Sequence, residues 1–266
     1  MTRVDPLVVA VLSDLARGLR ALDVEFCSIG ALVPELLLGV RPHRLTRDAD
    51  VTVILESLAD FDRLKERLSE FGFERTNRAY RLTHRNGGWV DLLPYSQTLA
   101  PTGRLDLARD LSFNMAGFDQ VLPNAIQVQV TSNLTVPVAP LPLYVLLKLV
   151  AFGDRKEPKD LASVLRCLRH YAEEDDRRYG LDHAGDAVPF EHTTAYLLGE
   201  DGRRFQAPPL SAAVVRVLDD FDSPDAVVIG TAAREEAGIF IEDARRRDVF
   251  DLFRWFRVGA GLSNID

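Results

Sequence analysis

Asp48 and Asp50 stand one residue apart at the entry to the β-branched, apolar run Val51–Leu55. Such a run reads as a strand, and strand side chains alternate between faces. The two carboxylates therefore point the same way, about 7 Å apart along the chain. That arrangement suits a hard cation, which selects oxygen ligands. A third acid, Asp91, lies in Gly88–Pro94, a second buried-strand pattern, from which it can reach the same cations. Upstream, the apolar segment Phe26–Gly39 breaks at Gly30 into a short apolar helix. Glycine there lets another chain or a phosphate approach the backbone, and the free N–H groups of a helix start favour anions.

These residues need a scaffold, and its pieces can be read from periodicity. An amphipathic helix is expected over Pro6–Leu22, with Leu7, Val11, Leu15 and Leu22 on one stripe and proline in its first turn. A second helix begins at Ser57-Leu-Ala-Asp60, a capping box with Asp in place of Glu, and runs to Phe71 before Gly72. Tyr80–Thr83 and Trp89–Pro94 flank Asn86-Gly87-Gly88, a hairpin signal that puts Asp91 beside, or one strand removed from, the Asp48/Asp50 strand. Ala125–Val130 reads as a further strand and the proline-rich Val136–Pro142 as a connector marking a domain boundary. Beyond it, helical periods appear near 142–152, 158–171, 209–221 and 245–257, with the charged stretch Glu173–Gly185 between them. The expected architecture is α+β: a mixed sheet with flanking helices over 1–138, then a mainly helical C-terminal domain over 139–266.

The order of glycine turn, Asp-x-Asp on a strand and a later strand Asp resembles the nucleotidyltransferase superfamily with its polymerase-β-like core. Lys148-Leu-Val-Ala-Phe-Gly-Asp154-Arg155-Lys-Glu-Pro-Lys159-Asp160 resembles the lysine and Arg/Lys-Asp helical motif of the AbiEii/AbiGii-type toxin nucleotidyltransferases. The resemblance spans roughly residues 24–170. It implies a nucleotidyltransferase-like sheet and transfer of a nucleoside monophosphate from an NTP to a hydroxyl, with two Mg2+ ions held by Asp48, Asp50 and Asp91 as metal-binding and catalytic residues. Gly30, Ala31, Arg47, Lys148, Arg155 and Asp160 would then be the nucleotide-binding residues, Lys148 being contributed by the helical domain, Asp160 orienting Lys148 or the nucleotide and Arg155 supporting the fold or the phosphates. It also implies tRNA or a protein as acceptor and an antitoxin as partner. The family pattern usually has Gly-Ser or Gly-Gly where this chain has Gly30-Ala31, so a phosphate-contacting hydroxyl is missing. Lys148 sits in an otherwise apolar helix, where an ammonium needs a partner or a path to the surface.

Composition excludes several other classes. At 266 residues, 47% hydrophobic and 27% charged, the chain has the make-up of an ordinary globular protein. Its longest apolar stretch, near Leu141–Phe152, is interrupted by Lys148 and falls short of the ~20 residues that span a bilayer. With no signal-peptide pattern, a cytoplasmic protein with no membrane partner is expected. Cys27 and Cys167 lack metal-ligand spacing and read as free core thiols, and the five histidines are scattered. The net charge of -8 is uneven: residues 173–266 carry 20 acidic against 11 basic side chains, the rest 20 against 21. Arg41, His43, Arg44 and Arg47 precede the Asp-x-Asp, and Arg75, Arg78, Arg81 and Arg85 lie on or beside the hairpin, which reads equally as a basic surface for polyphosphate or RNA and as scattered solvated arginines.

Two other functions fit the same residues. The acidic last third suits a cationic acceptor, as in a small-molecule nucleotidyltransferase of the aminoglycoside-modifying kind. Ala31 suits a non-catalytic nucleotide-binding module. A glycosyltransferase also uses Asp-x-Asp, but no sugar-nucleotide fold signal precedes it here.

Overall fold

The computed structural model describes residues 4–39, 48–183, 188–237 and 243–262. The chain divides into two compact units, Met1–Pro140 and Leu141–Asp266.

The first unit runs α1 (Pro6–Ala21), β1 (Phe26–Ser28), α2 (Leu32–Leu37), β2 (Asp48–Ile54), α3 (Leu58–Arg67), β3 (Phe73–Arg75), β4 (Arg81–His84), β5 (Trp89–Tyr95), β6 (Arg104–Ala108), β7 (Leu111–Asn114), β8 (Ile126–Thr131) and β9 (Leu134–Val138). Seven strands form one sheet in the order β3-β4-β5-β2-β1-β9-β8, and β6 and β7 form a separate hairpin. The large sheet is mixed: β2–β5 and β1–β9 are parallel, whereas β1–β2, β3–β4, β4–β5 and β8–β9 are antiparallel. This is the expected α+β class, a mixed sheet with flanking helices.

Alternation sets the faces. On β2, Ala49, Val51 and Val53 are buried, and on β5 so are Val90, Leu92 and Pro94. Helix α1 turns Val8, Val11, Leu12, Leu15, Ala16 and Leu19 inward, and Phe61 and Leu64 of α3 are also buried. Asp5 caps α1, its carboxylate accepting from the Leu7 N–H, and Pro6 fills the first turn. Ser57 caps α3 by accepting from the Asp60 N–H. The shorter Asp60 side chain accepts from the Ser57 hydroxyl, at 2.5 Å, where the Glu of a full capping box reaches the cap backbone. His84, buried on β4, lies 3.1 Å from Asp14 of α1 and ties that helix to the sheet.

Val136–Pro142, expected as a connector, is a strand as far as Val138. β9 pairs with β8 along its length and with β1 at Ser28–Val138. Pro137 is compatible with a strand because the β1 ladder begins only at the next residue, where the Ala139 N–H also donates to the Ser28 carbonyl.

The second unit contains α4 (Leu141–Arg155), α5 (Pro158–His170), α6 (Thr193–Gly202), α7 (Pro208–Leu218), α8 (Val227–Ala237) and α9 (Asp243–Gly259), with short 3-10 turns between them. Helices α6 and α8 lie outside the four expected. The α6–α9 contact is close because glycines face it. A Cβ at Gly199 would stand 2.2 Å from the Phe256 carbonyl oxygen, and one at Gly259 would stand 2.1 Å from that of Tyr196. Among the described residues no helix is long and apolar enough to cross a membrane. Cys27 and Cys167 are free and buried, and burial pushes both thiols up to about 12.

Candidate active site

The face of β2 opposite the core carries Asp48 and Asp50. Its parallel pairing with β5 sets Asp50 beside Asp91 and Asp48 beside Trp89. The antiparallel pairing of β5 with β4 sets Arg81 beside Asp91. In-register neighbours share a face, so Arg81, Asp91 and Asp50 form a row across three strands, flanked by Asp48 and Trp89. One carboxylate oxygen from each of Asp48, Asp50 and Asp91 lies within 4.8 Å of the others. The three acids expected to converge do converge, all half-buried.

The spacing suits cations. Oxygens on opposite sides of one Mg2+ stand about 4 Å apart, because each Mg–O bond is about 2.1 Å. A 4.8 Å spread lies within reach of one ion after a small side-chain rotation, or of two ions about 3.5–4 Å apart. The donors are all carboxylate oxygens, the chemistry that Mg2+ and Mn2+ prefer.

Gly30 contacts this row directly. A Cβ at position 30 would fall 1.7 Å from Asp50 Oδ2 and 2.3 Å from Asp50 Cβ and Cγ. The Ile29 N–H also donates to the Asp50 carbonyl at 3.0 Å. The group that approaches the Gly30 backbone is thus the chain's own catalytic candidate. Gly30→Ala is expected to displace Asp50, overpack the end of β1 and cost about 2 kcal/mol, with divalent-ion affinity falling about tenfold or more. Thermal melting and Mn2+ titration of the same sample check both effects. Ala31 occupies the N-cap of α2 and makes no side-chain cap bond. Ser28 cannot replace the missing hydroxyl: it pairs with Val51, whose side chain faces the core, and it is itself buried.

Arg81, read in the sequence only as part of a basic surface, is a member of the site. Its Nε donates to Asp91 Oδ1 at 2.6 Å and its Nη2 to Asp91 Oδ2 at 2.7 Å. Nη2 is also 3.9 Å from Asp48 Oδ2, and the guanidinium carbon stands 5.8 Å from the Trp89 ring centre. The hydrogen bonds to Asp91 push the Arg81 pKa further above its ordinary range. Its hairpin neighbours are likewise engaged: Arg75 with Asp62 and Glu66, Arg85 with Asp14. Alternation on β4 and the ten-residue span across the Asn86-Gly87-Gly88 turn are the sequence signals that put Arg81 opposite Asp91.

Lys148, Arg155 and Asp160 form a cluster of their own within the second unit. Arg155 donates from Nε and Nη2 to Asp160 at 2.7 and 2.6 Å, and Lys148 Nζ donates to Asp160 Oδ1 at 3.3 Å. Asp160 is fully buried. Burial alone would raise its pKa, but the Arg155 hydrogen bonds and the Lys148 charge outweigh it and hold the carboxyl below its ordinary range. Arg47, with Arg41, His43 and Arg44, lies outside the described residues.

No family model matches the chain, and no curated protein matches it. Among solved structures it is similar to an antigenic nucleotidyltransferase-like protein from Paracoccidioides brasiliensis. The match is at 18% identity and a TM-score of 0.44, covering 84% of this chain and 89% of that one.

Proposed function

We propose that this protein is a Mg2+-dependent nucleotidyltransferase that moves a nucleoside monophosphate from an NTP to a hydroxyl acceptor. The observation that carries the proposal is the row of three aspartates, with one oxygen from each within 4.8 Å, packed against Gly30. Asp48, Asp50 and Asp91 are the residues that would hold the divalent ions, which when bound neutralise phosphate charge and lower the pKa of the acceptor hydroxyl. In the transfer, the acceptor oxygen forms a bond to the α-phosphorus, the bond from that phosphorus to the bridging oxygen breaks, and pyrophosphate leaves. Asp91 is the base to which the acceptor proton passes, once Arg81 releases one of its oxygens. Asp50, fixed between Gly30 and β5, orients the row, and Asp48 forms its more exposed end. The order of these motifs, with the Lys148–Asp160 segment after them, supports a toxin-like enzyme with tRNA or a protein as acceptor and an antitoxin as partner.

A second proposed function, a non-catalytic nucleotide-binding module, is favoured by one observation: both Asp91 oxygens are already taken by Arg81. Incubating the full-length protein with each labelled NTP, Mg2+ and total tRNA, protein or aminoglycoside acceptors separates the two. Label transfer that disappears in Asp48→Ala establishes the enzyme and identifies its acceptor. Nucleotide binding by calorimetry with no transfer to any acceptor selects the module.

A further inference from the structure

We propose that Arg81 competes with the divalent cation for Asp91, so that the affinity of the acidic row for its ion is set by how readily this guanidinium withdraws. The proposal rests on the row being a cation site, as argued above. Arg81 and Asp91 face each other in register on β4 and β5, so the backbone itself holds the pair together. The contact is a two-pronged fork, at 2.6 and 2.7 Å, that engages both carboxylate oxygens. Charge-assisted forks of this kind are the strongest side-chain hydrogen bonds. The side chains are only 21% and 15% exposed, so water and salt screen the pair weakly. The same guanidinium reaches toward Asp48 and lies over Trp89, which sits directly opposite Asp48 on the neighbouring strand.

Arg81 therefore stands where a cation would stand. It brings one positive charge to the row, forked on Asp91 and within 3.9 Å of Asp48, the same sign of charge that a divalent ion would bring. An ion using an Asp91 oxygen must break at least one prong of the fork, because the donors and the ion approach the same lone pairs. The loss of that prong is felt as weaker ion binding. As a scale, coupling free energies between binding events commonly amount to about 5–150-fold in affinity.

Mn2+ titration of the full-length protein at fixed pH and ionic strength, followed by calorimetry, tests this in wild type, Arg81→Gln, Arg81→Lys and Arg75→Gln. Arg81→Gln is expected to tighten Mn2+ binding about tenfold, and Arg81→Lys, which keeps the charge but cannot fork, about threefold. Arg75→Gln, which removes a hairpin arginine paired elsewhere, is expected to leave it unchanged. If Arg81→Lys binds as wild type does while Arg81→Gln tightens, charge alone acts and the competition is refuted. Unchanged or weaker binding in Arg81→Gln, with wild type binding Mn2+, refutes the competition but leaves the metal site standing. Absence of binding in all four proteins refutes the metal site itself. Far-UV circular dichroism checks folding, and Arg81→Lys carries the comparison if Arg81→Gln fails to fold.

Discussion

Asp50→Ala is expected to lower kcat for nucleotidyl transfer by about 10³-fold, corresponding to about 4 kcal/mol of lost transition-state stabilisation. Of the three acids, Asp50 lies on β2 between Gly30 and Asp91, so its loss removes the carboxylate packed between the glycine and the acid of β5. The same variant should lose measurable Mn2+ binding while its melting temperature stays close to wild type. Labelled-NTP turnover, Mn2+ calorimetry and a thermal melt of one preparation check the three parts. Retained turnover with normal metal affinity would contradict the catalytic role of this row.

Asp160→Ala is expected to destabilise the second unit by about 2–3 kcal/mol. Removing one member of a buried charge cluster commonly costs about 3–5 kcal/mol because the partners lose their compensation. Here the cost lies at or just below the bottom of that range, since Arg155 is 44% exposed and recovers hydration, although Lys148 is only 15% exposed. The pH dependence has a definite sign. Because the native carboxyl lies below its ordinary range, its contribution is full above about pH 4 and is lost as pH falls through the depressed native value. Asp160→Ala should therefore lose stability at neutral pH and show a shallower acid limb than wild type. Trp255 and Trp89 are the two tryptophans, so urea unfolding in a Trp89→Phe background reports on α9 and its unit.

Much of this could be read from local pattern. The α1 stripe, the Asp-x-Asp strand and the Asn86-Gly87-Gly88 hairpin each carry their period or turn chemistry within a few residues, and Asp91 falls on β5 for that reason. What escaped depended on partners distant in sequence. Thr193–Gly202 contains Gly199 and Gly202, which as isolated residues argue against a helix. In the fold, Gly199 and Gly259 are what let α6 and α9 touch. Helix α8 opens with the weak helix formers Val227, Val228, Ile229 and Gly230, and buries Ile229, Ala232 and Ala233 at helical spacing on small side chains. β9 contains a proline whose missing N–H matters only if a ladder needs it there. Arg81 looked like one solvated arginine among several, because its fork depends on strand register rather than on composition.

That register has a further consequence. Asp50 and Asp91 are neighbours only while β2 and β5 are zipped in one particular alignment, and a slip of a single residue would send one of them to the opposite side of the sheet. An ion tying the two together would act as a clasp on the central parallel ladder, stabilising the properly aligned sheet by mass action. Ion capture would then report correct assembly, since only chains whose middle strands have met in the right alignment would bring the two carboxylates together.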